Sequence, residues 1–167
     1  MVAGFFSPPV DPRTWVEVYR ATRDGFSTKA YHAACDDRGN LIVFIKTKDT
    51  GYIFGAFTEV GFKAWVWQEY TDPRAFLFSV VNGIGRPFKC ASKGDPYSVR
   101  SHPNYSAVFG WNSDIYICGD ADTKAGSYTN IYGESYEAPT EGGPHVLTGG
   151  VKDGWLVAEM VAYTVPR

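Results

Sequence analysis

Residues 40–58, NLIVFIKTKDTGYIFGAFT, constrain the fold more than any other stretch of the chain. Leu41 to Ile45 is apolar without interruption, so a strand there must be covered on both faces rather than one. KDTG is a turn signal, and YIFGAFT beyond it is a second β-type run, so the pair predicts a hairpin. Further β-type runs follow at TWVEVY (14–19), AFLFSVV (75–81), SDIYICG (113–119) and WLVAEMVAYTV (155–165). In TWVEVY, Trp15, Glu17 and Tyr19 alternate with Val16 and Val18, the period of a half-buried strand. Eleven Tyr, eleven Phe, five Trp, eighteen Gly and ten Pro favour strands and tight turns over long helices. The expected fold is mainly β with peripheral helices, a β-sandwich of two packed antiparallel sheets.

The clearest helical pattern is TKAYHAAC, preceded by Ser27, whose hydroxyl is placed to cap the first turn. Ala30, Tyr31, Ala34 and Cys35 share an apolar face, with Lys29 and Ala33 turned away, and DDRGN stops the helix. Asp24-Gly25 reads as a turn, and GFKAWVWQEY (61–70) as a second short helix. The 167 residues divide into an N-terminal arm (1–13) and a single domain (14–167).

Composition excludes several classes. A formal net charge of -2 and a pI near 5.9 build no field for nucleic acid or an anionic membrane, so Lys63, Arg74, Arg86, Lys89, Lys93 and Arg100 read as solvated surface. Cys35, Cys90 and Cys118 are odd in number and widely spaced, which fits reduced thiols in a cytoplasmic protein. MVAGFFSPPV has neither the basic start nor the apolar length of a signal peptide or a span, and Asn104-Tyr105-Ser106 is then a chance glycosylation triplet.

Catalytic and metal motifs fail on spacing. His32 and Cys35 are neighbours on the predicted helix, but Cys35 lies at its C-terminal end, where the dipole opposes a thiolate. Cys35 reads as packing, with a redox role as the alternative. His32, Cys35 and Asp36 find no second cluster to close a zinc site, and His102 and His145 stand alone beside prolines. A calcium loop from Asp36 would put Thr47 where a carboxylate is required. NGIGRPF lacks a third glycine, and YGESYEAP lacks the glycine of a nucleophile elbow. No catalytic, cofactor-binding or metal residue is assigned. Gly55 inside IFGAF, with FLFS (76–79) and SYTN (127–130), marks either a tightly fitted core or a ligand groove.

In this order, YRATRDGFS, YHAACDDRG, GYIFGAF, DPRAFLFSV, FGWNSDIYI, GSYTNIYGESYE, VLTGG and WLVAEMVAY resemble the TLDc domain of the oxidation-resistance proteins, from about Trp15 to Tyr163. Where that family often has a second acid two positions after Glu159 this chain has Val161, and Trp111 and Asn112 stand where glycines are common. The resemblance implies a β-sandwich with peripheral helices, no enzyme active site, a role in oxidative-stress protection, and binding to the cytosolic sector of the V-ATPase, whose assembly such proteins regulate. It leaves open whether the chain is a minimal protein or an excised domain. A monomer without cofactor, contacting its partner through segments 119–127 and 137–154, is expected. Glu159 is a candidate partner contact, or else is tucked beside Val157 and Val161. The other class kept open is a small-ligand-binding sandwich or a cysteine-based peroxide scavenger acting through Cys35.

Overall fold

The computed structural model describes residues 2–63 and 67–166. In chain order its elements are β1 (Val16–Arg20), α1 (Ala21–Asp24), α2 (Thr28–Cys35), β2 (Leu41–Thr47), β3 (Ile53–Thr58), β4 (Gln68–Tyr70), β5 (Phe76–Val81), β6 (Phe88–Ala91), β7 (Val99–Ser101), β8 (Tyr105–Phe109), β9 (Ile115–Cys118), β10 (Tyr128–Thr129) and β11 (Val157–Thr164). They form two antiparallel sheets, one ordered β1-β11-β2-β3-β5-β6 and the other β10-β9-β8-β7-β4. The sandwich expected from the β-type runs is the fold observed.

The double-sided burial of β2 has a physical account. Leu41, Val43 and Ile45 enter the main core, shared with Leu77 of β5 and with Val99, Phe109 and Ile117 of the other sheet. Ile42 and Phe44 face the opposite side, where the N-terminal residues supply a third layer. Phe6 lies 4.8 Å from Phe57 and 5.2 Å from Phe76 between ring centroids. Lys89 also donates a 2.9 Å hydrogen bond to the Phe5 carbonyl. Val2, Phe5, Phe6 and Val10 therefore belong to the packed body, while residues 7–9 and 11–13 are exposed. Gly55 sits mid-strand because a Cβ there would meet the Val43 carbonyl oxygen at 1.8 Å and the Phe78 ring at 2.8 Å. Of the two readings of that glycine, close packing is the observed one.

Two expectations are corrected, and a third gains detail. Gln68–Tyr70, read as part of a helix, is β4, held by pairing of Gln68, Glu69 and Tyr70 with Ser101, Arg100 and Val99; residues 64–66 of the same stretch lie outside the described residues. The strict alternation in β1 breaks at a bulge between Glu17 and Tyr19, which sends both Val18 and Tyr19 toward the main core. Segments 119–127 and 137–154, expected as contact loops, are mostly exposed and also send a few residues into the core. Ala121 is buried, and a 3-10 turn at Val146–Thr148 buries all three of its side chains. Trp155, just beyond, stands edge-on to Phe54.

Candidate functional site

Helix α2 forms as its sequence dictates. Ser27 is extended, and its Oγ accepts a 3.2 Å hydrogen bond from the Ala30 N–H. Just before it, Asp24-Gly25 closes the single helical turn α1, with Gly25 at φ 100° donating to the Ala21 carbonyl. His32 is buried, and it is not a base for the thiol. Its Nδ1 lies 2.7 Å from Asp36 Oδ1, and its Nε2 lies 2.8 Å from the Tyr105 carbonyl and 3.1 Å from that of His102. Both ring nitrogens face oxygens, so the side chain ties α2 to the β7–β8 turn.

Cys35 is fully buried, and burial, aided by the negative charge of Asp36, pushes its thiol up to about 12. Burial does the same to Cys90, also to about 12. Cys118 is half-buried, its Sγ 3.5 Å from the Lys124 carbonyl and 3.4 Å from Ser127 Oγ. Among the described residues, no group of three or more His, Cys, Asp and Glu could hold a metal ion. Glu159 acts as a bracket. Its Oε1 accepts from the Thr22 and Met160 N–H groups at 3.1 and 3.0 Å, and its Oε2 accepts from the Thr22 hydroxyl. Arg20 Nη1 lies 3.6 Å from the same carboxylate. This fastens α1 to β11 and leaves the side chain 22% exposed.

One aromatic surface feature was not anticipated as a unit. On the five-stranded sheet, Ile115 and Ile117, Ala107 and Phe109, and Val99 all point into the core. Period-two alternation therefore turns Tyr116, Val108 and Arg100 to the outer face. Strand register then sets Tyr128, Tyr116, Val108, Arg100 and Glu69 in one row across the sheet. Tyr128 and Tyr116 stack at 4.6 Å, Tyr116 and Tyr105 lie 4.8 Å apart, and Tyr105 stacks on His102 at 4.5 Å. Trp67, 58% exposed, stands edge-on to His102 at 5.0 Å. Its ring centroid is also 5.0 Å from the Arg100 guanidinium carbon, within cation–π range. These groups enclose an open pocket of about 150 Å³ above Val108.

Arg100 is not the solvated surface charge its composition implied, since its side chain is only 18% exposed. Nη1 donates to the Trp111 carbonyl at 3.2 Å and to Ser113 Oγ at 3.4 Å. Nε is buried without a hydrogen-bond partner, and the nearest carboxylate oxygen, on Glu69, is 3.6 Å away. His102 accepts the Asn104 N–H at Nδ1, so the proton of the neutral ring sits on Nε2. Burial first, then the positive charge of Arg100, lowers its pKa and so favours the neutral ring.

Comparison with known protein families matches the TLDc domain over residues 4–150. The chain belongs to the TLDc domain family. The match takes in the N-terminal layer as well as the aromatic face, so it begins earlier than the motifs alone indicate and ends before β11. No curated protein matches the chain. No helix among the described residues of this TLDc domain is long and apolar enough to cross a membrane.

Proposed function

We propose that this TLDc domain is a non-enzymatic interaction module of the cytoplasm, which as a monomer binds the cytosolic sector of the V-ATPase and regulates its assembly. Oxidative-stress protection is then indirect. The observation that carries this reading is membership of the TLDc family across residues 4–150. Two features of the chain support it. A thiol pushed up to about 12 holds almost no thiolate at neutral pH, so Cys35 and Cys90 are poor peroxide nucleophiles. The open aromatic face is built on a rigid sheet, so little ordering entropy is lost when a protein surface docks there. Aromatic residues and a half-buried arginine are also the residue types enriched at the centres of protein interfaces.

The test is reconstitution. Purified domain is added to pump-bearing membranes, and release of the cytosolic sector and ATP-driven acidification are measured. The expected outcome is a saturable change in both, with pump subunits co-purifying. No change at micromolar protein, and no co-purifying subunit, would remove the pump from the reading.

A further inference from the structure

We propose that the pocket beside Trp67 is an anchor site for the carboxylate side chain of one Asp or Glu in an acidic segment of a partner protein, with Arg100 as its counter-ion. Size limits the occupant first. About 150 Å³ is several times the share of one water molecule but well below a cofactor or drug-sized site. It fits a single side chain. Charge then selects which one. Among the described residues, the Nε and Nη2 groups of Arg100 donate no hydrogen bond, while Nη1 is committed to Trp111 and Ser113.

The Nε–Nη2 edge of the guanidinium, which has only the Glu69 carboxylate near it at 3.6 Å and no hydrogen bond, is the one that pairs with a carboxylate through two parallel hydrogen bonds once Glu69 is displaced. His102 adds a neutral ring whose Nδ1 is already occupied, leaving its Nε2–H as a further donor. A lysine would be repelled by Arg100. An apolar side chain would leave the buried Nε without an acceptor and desolvate the rest of the guanidinium as well. The walls of Trp67, Tyr105, Tyr116 and Tyr128 lower the local dielectric and so strengthen a charge pair formed between them. The half-buried stack of Tyr116 and Tyr128 offers the residue next to the acid an apolar seat.

Glu69 supplies the internal check. Its carboxylate sits 3.6 Å from Arg100 Nε, at the edge the incoming acid would use. It therefore competes with the ligand, and a neutral replacement should favour binding. The rim is preformed, because His32 fixes the carbonyls of His102 and Tyr105 from beneath.

The experiment uses the whole 167-residue chain and three blocked tetrapeptides, acetyl-Ala-Phe-Glu-Ala-amide and its Gln and Lys counterparts. The readouts are the Arg100 Nε–H and Trp67 indole N–H resonances of isotope-labelled protein. The Glu peptide is expected to shift both saturably, and to bind about tenfold or more tightly than the Gln peptide, as a charged hydrogen bond requires. Glu69→Gln should tighten binding of the Glu peptide, and Arg100→Gln should abolish it. Equal binding of the Glu and Gln peptides overturns the proposal. So does tighter binding of the Lys peptide, or no saturable shift in either the parent or Glu69→Gln. If Arg100→Gln does not fold, the peptide series and Glu69→Gln still decide. The assay contains no pump, so a domain that binds the peptide yet leaves the pump unchanged keeps the anchor site and loses the pump.

Discussion

Asp114 immediately precedes β9 with only 1% of its surface exposed, and its Oδ2 has no hydrogen-bond partner. That oxygen rests on the backbone of Gly110, where a Cβ would stand 1.6 Å from it, and Gly110 is itself at φ 85°. Burial first, then the negative charges of Glu134 and Asp95, raise its carboxyl from the ordinary 3.8 to about 7. The sign of the effect on stability follows from which state holds the proton. Below the unfolded value both states are protonated and Asp114 costs nothing. Between the two values the unfolded chain ionises while the folded one keeps its proton, so stability falls as pH rises, by about 1.4 kcal/mol per pH unit. Above the folded value the penalty is constant at about 4 kcal/mol. Asp114→Asn is nearly isosteric and cannot ionise. Urea unfolding of both proteins across this range gives a difference curve in which other titrating groups largely cancel. The variant should gain on the parent by about 4 kcal/mol between roughly pH 4 and pH 8. A difference curve that is flat with pH would mean that Asp114 ionises freely in the folded domain, and the reasoning would be wrong.

Ser27→Ala should destabilise the domain by about 0.5–2 kcal/mol, through loss of the bond to the Ala30 N–H; an unchanged denaturation midpoint would contradict that. Phe6→Ala should cost about 3–5 kcal/mol, because the ring is 3% exposed against Phe57 and Phe76, and a loss below about 1 kcal/mol would show that the N-terminal layer is dispensable. Native protein treated with iodoacetamide should gain one adduct, on Cys118, and three in denaturant, counted by intact mass. Peroxide consumption should stay at background and be unaffected by Cys35→Ser; stoichiometric consumption abolished by that change would restore the thiol mechanism.

The strands legible in the sequence were those with long apolar runs, β2, β3, β5 and β11, together with the alternating TWVEVY of β1 and DIYIC in β9. Helix α2 was legible because cap, apolar face and stop all agree. β4, β6, β7, β8 and β10 were not, since each has five residues or fewer and mixes polar with apolar positions, as in VRS and YT. β4 shows tertiary pairing overriding a local pattern. The aromatic face was hidden for a different reason. Trp67, Arg100, Tyr105, Tyr116 and Tyr128 lie on or beside five strands, and only the register brings them together. The available signal was Tyr116 between two core isoleucines and Tyr128 in SYTN, each an aromatic facing away from the core.

β11 lies between β1 and β2, so the second half of a sheet that begins at residue 16 is joined to its first strand only by residues 157–164. On a ribosome, β1 can pair with nothing in this sheet until residues 157–164 have been made. The hairpin of β2 and β3 can form early, but its open edge waits for the same late segment. Every pairing of β1 then spans more than 140 positions, the kind of non-local closure that folds on the millisecond-to-second scale. This sheet should therefore close only once residues 157–164 have been made, and a nascent chain stopped near residue 150 should expose two unpaired strand edges to chaperones or to other copies of itself.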